Sequence, residues 1–171
     1  MKQLDLFEQC SPKDVVPKKN GNKFLLYVDG AARNNPGPAG VGIYIVKNDD
    51  PLQKTGFFIG SKTNNQAEYL ALVFGVALCK EHMSSDDALY IMSDSQLLIN
   101  QIKGAYKVKM PHLKPLYGLV MDLLQPLQYS VCHIRREYNT MADALANSGI
   151  DKKVKVPEAL ISLLHTHGIS L

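Results

Sequence analysis

LLYVDGAARNNPGPAG, residues 25–40, is the stretch whose reading decides the fold. Leu25, Leu26, Tyr27 and Val28 read as a strand, which ends on a bare carboxylate, Asp29, before the chain passes into Gly, Asn and Pro. A carboxylate at the end of a buried strand is costly unless something pairs with it, and a cation is one candidate. Which other residues would share that cation is the question the rest of the chain has to answer.

Downstream, VGIYIVK (41–47) and LQKTGFFIG (52–60) read as two further strands, joined by AARNNPGPAG and by the turn NDDP into an antiparallel meander. NNQAEYLALVFGVALCKEHM (64–83) sets Ala67, Leu70, Ala71, Phe74, Ala77 and Leu78 at helical spacing, with Thr63 or Asn64 as N-cap. Apolar residues nearly encircle this helix, which predicts deep burial. ALYIMSD (88–94) is a fourth strand and, like the first, ends on a carboxylate, Asp94. There follow a helix, SQLLINQIKG, closed by Gly104; a helical stretch, HLKPLYGLVMDLLQPL; and a fifth strand, QYSVCHIR. The last strong element is NTMADALANSG, a helix with Asn139 or Thr140 near its cap and Gly149 after its end; a weaker helix, PEALISLLHTHG, finishes the chain. Three strands followed by helices alternating with strands predict an α/β fold: a mixed five-stranded sheet, three strands antiparallel and then two parallel, flanked by helices.

With 171 residues, 46% of them hydrophobic, the chain suits one well-packed domain. Residues 1–22, carrying Pro12, Pro17, Gly21 and mixed charge, read as a flexible leader. The domain is expected over 23–150, with a C-terminal tail or short helix over 151–171. The three cysteines, Cys10, Cys79 and Cys132, lie far apart and form no C-x-x-C pair, which argues against both a disulfide framework and a zinc site and points to a reducing compartment. No apolar run approaches the roughly 18–20 residues of a membrane span, and the opening MKQLDLFEQCSPKD has acids where a signal peptide needs an apolar core. A cytoplasmic, monomeric protein without a membrane partner is the expectation. The formal charge of +3 is modest, but no acid falls between Asp94 and Asp122, where Lys103, Lys107, Lys109 and Lys114 lie. That run is either a solvated face or a nucleic-acid contact.

Four acids fall at telling places. Asp29 and Asp94 end strands, Glu68 reads in the first turn of a helix and Asp143 in the first turn or so of another. If the first and fourth strands are parallel neighbours, their carboxyl ends share the sheet edge where open α/β sheets place their sites. Four converging carboxylates repel unless cations hold them, and an all-oxygen set selects Mg²⁺ or Mn²⁺ over zinc. Singly, Glu68 and Asp143 could complement helix dipoles, Asp29 could serve a turn and Asp94 an N-cap. Capping alone does not explain two acids at the ends of apolar strands, each followed by small or polar residues.

YVDGAARNNPGPAGVG, TNNQAEYLAL, SDSQLLINQIKG and HIRREYNTMADALA resemble, in order, the four successive motifs of the type 1 ribonuclease H family, from about Phe24 to Ala146. The chain is most similar to the compact branch: YKVKMPHLKPLY stands where longer relatives carry a basic, tryptophan-bearing protrusion, and no hybrid-binding module is read before the domain. The resemblance implies an endonuclease that hydrolyses the RNA strand of RNA–DNA hybrids with two Mg²⁺ or Mn²⁺ ions per site. It would leave 5′-phosphate and 3′-hydroxyl ends, in primer or hybrid removal. It implies that Asp29 and Asp143 hold the ion that activates water, and that Asp29, Glu68 and Asp94 hold the second. Two cations about 3.5–4 Å apart can stabilise both the attacking and the departing oxygen, in keeping with that division.

The resemblance also places Asn35, Asn64, Asn65 and Gln96 at the hybrid's minor groove, where an amide can donate to and accept from a ribose hydroxyl. It places Thr63 on a DNA-strand phosphate. Helix capping is the other reading of Asn64 and Asn65, and turn chemistry that of Asn35; both can hold alongside the functional role. Gly30 and Gly37 are expected to keep the loop close to the substrate backbone. His133, ten residues before Asp143, stands at the separation of the family's loop histidine, where an imidazole could shuttle protons or help product leave. HIRRE lacks the glycine that makes that loop mobile in longer relatives, and a strand-end histidine that packs or meets water is the other reading. Arg135 and Arg136 read as phosphate contacts.

The alternative function is a hybrid-binding or double-stranded-RNA-binding module with weak or no catalysis, against which retention of all four acids argues. Proofreading exonucleases place an acid two residues after the first Asp, where this chain has Ala31, and transposases and integrases end their set with Glu rather than Asp143. Finally, QLDLF (3–7) sets Leu4, Leu6 and Phe7 together in a leader poor in apolar residues. It resembles the peptide with which bacterial replication and repair proteins bind the sliding clamp, the glutamine at a pocket's edge and the leucine and aromatic in an apolar cleft. The resemblance implies clamp binding through Gln3, Leu4, Leu6 and Phe7. A segment packed back on its own domain is the other reading.

Overall fold

In the computed structural model, which describes residues 15–171, β1 (Lys23–Ala32) is the middle strand of the sheet and is buried from Phe24 to Gly30. Both of its faces are covered, which is why it reads as a continuous apolar run rather than an alternating one. Gln3, Leu4, Leu6 and Phe7 lie outside the described residues. The order continues with β2 (Gly37–Lys47), β3 (Asp50–Lys62), α1 (Asn64–Lys80), β4 (Ala88–Ser93), α2 (Gln96–Ile102), α3 (Lys114–Leu124) and β5 (Gln128–His133). A 3₁₀ turn (Arg136–Tyr138), α4 (Thr140–Lys152) and α5 (Glu158–Thr166) complete it.

The sheet has five strands in the order β3-β2-β1-β4-β5. β1–β2 and β2–β3 are antiparallel, β1–β4 and β4–β5 parallel, as the alternation of elements predicts. The parallel register pairs Tyr27 with Met92. Carried two residues on, it brings Asp29 level with Asp94 at the strands' carboxyl ends.

Two boundaries differ from the sequence reading. β1 and β2 run on through most of AARNNPGPAG, pairing Ala31 with Gly40 and Ala32 with Ala39. The connection shrinks to residues 33–36, because backbone hydrogen bonds extend the ladder through small residues that carry no strand signal of their own. The helix α4 does not stop at Gly149 but runs to Lys152, and Lys153 ends it in the left-handed region at φ 51°. Gly149 is there for proximity: a Cβ on it would press on the backbone of Phe57 in β3. Gly42 and Gly56 play the same part from the sheet, where a Cβ would overlap the carbonyls of Ala142 and Leu145 in α4. The helix therefore rests on the sheet main chain to main chain.

Alternation along β1 divides the core. Phe24, Leu26 and Val28 pack with α1, α2, α3 and α5, whose Leu160 and Leu164 join that side together with Val156. Leu25 and Tyr27 pack with Tyr90, Met92 and Ala142 on the other face. Among the described residues no helix is long and apolar enough to cross a membrane.

Candidate active site

The strand β1 meets α1 at Gly30, where any Cβ would overlap the amide of Glu68 and the carbonyl of Ala67; because the helix begins at Asn64, Glu68 lies past its first turn rather than in it. Glycine here lets strand and helix backbones touch, which sets the side chains of Asp29 and Glu68 together. Gly30 also lines the cavity, so its close approach to α1 stands beside the expected approach to substrate. Gly37 is likewise filled in by its own hairpin, at the carbonyl of Arg33. Thr63 caps α1 reciprocally with Gln66: Thr63 Oγ1 accepts from the Gln66 amide at 3.2 Å, and Gln66 Oε1 accepts from the Thr63 amide at 2.9 Å. The orphan N–H of Asn64 donates to Asn35 Oδ1 at 3.0 Å, so the β1–β2 connection and the helix start are tied together.

At the end of β4 the N-cap of α2 is Ser95, whose Oγ accepts from the Leu98 amide at 3.3 Å. Asp94 is released from capping, and its Oδ1 accepts instead from Asn139 Nδ2 at 2.7 Å. The same nitrogen donates to the Val28 carbonyl at 2.9 Å, and Asn139, at the N-cap position of α4, makes no side-chain capping bond. One turn later Asp143 enters the site. Arg136 Nη2 lies 3.6 Å from its Oδ1, and Asn147 Nδ2 donates to its backbone carbonyl at 3.0 Å.

Asp29, Glu68, Asp94 and Asp143 line one polar cavity of about 340 Å³, with Arg136 and Asn147 on its wall. Asp29 and Glu68 are each only 6% exposed, and Glu68 Oε2 is buried without a hydrogen-bond partner. Burial, then the charges of Asp94 and Asp143, push the Asp29 carboxyl up to about 7. Burial, then the charges of Asp29 and Asp94, push Glu68 well above the usual carboxylate range. Among the described residues no group of three or more acidic, histidine or cysteine side chains is placed so as to hold a metal ion as it stands. The four acids share the wall of that cavity.

His133 and Arg135 fall outside that wall. His133 ends β5, exposed, with Nε2 3.3 Å from the backbone carbonyl of Asp94, and does not line the cavity. Arg135 pairs with Glu137 at 3.7 Å.

The chain matches the "Reverse transcriptase-like" family model over residues 27–149. Ribonuclease HI of Halobacterium salinarum is 38% identical over 146 residues, covering 82% of this chain and 72% of that protein. The chain belongs to the ribonuclease H family. The crystal structure of RNase H1 from Halobacterium salinarum superposes with a TM-score of 0.72 at 36% identity, over 76% of this chain and 98% of that one. LC11-RNase H1, solved in complex with an RNA/DNA hybrid, also gives 0.72 at 36% identity, over 75% of this chain and 97% of that one.

In this ribonuclease H fold Asn64 lines the cavity, whereas Asn35, Thr63, Asn65 and Gln96 are not on its wall. Asn65 lies in the first turn of α1, and Gln96 opens α2 as an exposed residue. Two site residues escape a reading of motifs alone, Asn139 as a partner of Asp94 and Asn147 as a partner of Asp143. Their signal is spacing: 139, 143 and 147 are four apart and fall on one helix face.

Proposed function

We propose that this chain is an endonuclease that hydrolyses the RNA strand of RNA–DNA hybrids, leaving 5′-phosphate and 3′-hydroxyl ends. The observation that carries the reading is the convergence of Asp29, Glu68, Asp94 and Asp143, from four separate elements, on one polar cavity. The donor set suits Mg²⁺ or Mn²⁺: every donor is a hard carboxylate oxygen, and one of them, Glu68 Oε2, lacks a protein partner in the buried state. Asp29 and Asp143 would hold one ion, and Asp29, Glu68 and Asp94 a second. When bound, the ions supply positive charge to the attacking and departing oxygens of the phosphodiester.

The chain's own residues do the positioning. Arg136, with its side chain 82% exposed beside Asp143, suits a substrate phosphate. Asn35 and Asn64 form a bonded pair beside the cavity from which amides can read a 2′-hydroxyl, with Asn65 and Gln96 at the neighbouring helix starts. Thr63 and Arg135 would meet phosphates farther along the duplex. His133 takes an auxiliary part, because it touches the Asp94 backbone rather than the cavity.

Matched RNA–DNA, RNA–RNA and DNA–DNA duplexes, each with Mg²⁺ or Mn²⁺, test the reading. Cleavage of the RNA strand in the hybrid, abolished by chelator, is expected. Hybrid binding without cleavage would favour the binding-module alternative, and cleavage in excess chelator would exclude the metal set.

The N-terminal peptide adds a setting. Gln3, Leu4, Leu6 and Phe7 would tether a cytoplasmic, monomeric enzyme to a bacterial sliding clamp, near hybrids left by primer synthesis, raising local concentration without altering the site. Deleting residues 1–8 should abolish clamp binding and leave hydrolysis of a short free hybrid unchanged.

A further inference from the structure

Asn139 is 1% exposed and stands between three of the four acids. Its side-chain nitrogen spends one hydrogen on Asp94 Oδ1 at 2.7 Å and the other on the carbonyl of Val28, the residue before Asp29, at 2.9 Å. Its own backbone carbonyl accepts from the Asp143 amide at 3.1 Å. The amide's orientation is dictated by its neighbours, since exchanging O and N would set an acceptor against two acceptors. Its oxygen is buried and finds no partner among the described residues. Residues at this helix position ordinarily use that oxygen to cap, and Asn139 does not. The β1–β4 ladder has its last pair at Tyr27 and Met92, so the amide bridges the two strands where their own hydrogen bonding ends.

We infer that Asn139 is a positioning residue that fixes the Asp94 carboxylate relative to β1 and α4, so that the acid set is arranged for divalent cations before they bind. The inference rests on the metal-dependent reading given above. Asp94 and Asp143 lie on different elements, and a charge-assisted bond to a neutral amide orients a carboxylate without neutralising it. Outer partners of metal ligands commonly act in this way.

The test is calorimetric titration of Mn²⁺ into the full chain without nucleic acid, beside cleavage assays across Mn²⁺ concentrations. Asn139→Ala should bind Mn²⁺ about 10–100-fold more weakly. Its cleavage should recover towards wild type as Mn²⁺ is raised, while KM for the hybrid stays unchanged. Asn139→Ser, whose hydroxyl fills part of the space and can serve one acceptor, should fall between the two. Unchanged Mn²⁺ affinity in either folded variant overturns the inference, and so does a loss of cleavage that excess Mn²⁺ does not restore. Absence of Mn²⁺ binding by the wild-type chain overturns the metal-dependent reading itself, and the inference with it.

Discussion

The guanidinium of Arg136 stands 3.6 Å from the carboxylate of Asp143 on the wall of the acidic cavity. Among the described residues it is the one cation on that wall, whereas His133 meets the Asp94 backbone. Arg136→Ala should therefore lower kcat/KM on a hybrid by about tenfold, mostly through KM, a loss of about 1.4 kcal/mol of transition-state binding. His133→Ala should cost less than about threefold. Steady-state kinetics of the two variants decide the ranking, and the reverse order would refute it.

Asp94→Asn keeps shape and removes one metal-binding charge. Cleavage should fall by at least about a hundredfold, more than an outer partner's loss. Hybrid affinity, measured by a binding titration in the same buffer, should stay close to wild type. Parallel loss of binding would mean that Asp94 supports the fold rather than the chemistry.

Metal-free stability should decline as pH rises. The unfolded chain releases the Asp29 proton near 3.8, whereas the folded one keeps it until about 7. Between those values the native state binds more protons, so stability falls through that window and levels off above it. Glu68, also raised, acts in the same direction. Thermal melts in chelator at pH 5 and pH 8 should show the lower Tm at pH 8, with Mg²⁺ restoring part of the difference. Asp29→Asn should raise Tm at pH 8 in chelator. A flat profile would contradict the crowding of acids.

Gly30→Ala should be among the costliest single-methyl additions in the chain, since the atoms in the way are the backbone of Glu68 and Ala67. Overpacking of this kind costs about 3 kcal/mol at the upper end of the usual range, a drop in Tm of roughly 6–12 °C for a chain of this size. Gly118→Ala, in α3 with nothing within 4 Å of the new atom, should be neutral or stabilising. Melting curves of the pair make the comparison.

Much of this arrangement is legible because the chemistry interrupts strong periodic signals. Asp29 and Asp94 stand out as charges where apolar strands end, and the alternation of later elements implies the parallel pairing that aligns them. Residues with two physical uses are less legible. Gly149 looks like a helix stop and serves as a contact point; Asn139 looks like a cap and serves as a bridge; Gly30 looks like a residue kept small for substrate and also lies against the backbone of α1. In each case residue type constrains what is possible locally, and only the three-dimensional neighbour decides which use is realised. The extension of β1 and β2 through AARNNPGPAG has the same origin, for a ladder is a property of two segments and not of one.

The contact of α4 with the sheet through Gly42, Gly56 and Gly149 makes main-chain atoms the spacers beneath Asp143. Peptide groups have the same size in every sequence, so this gauge does not drift when neighbouring apolar side chains are exchanged. Robustness and turnover then become separable traits: substitutions such as Ile43→Val or Leu72→Met can trade melting temperature up or down while the distance from the helix to the strand ends stays set. A lineage could in this way adapt the protein to heat or cold through its interior without having to rediscover the placement of its acids.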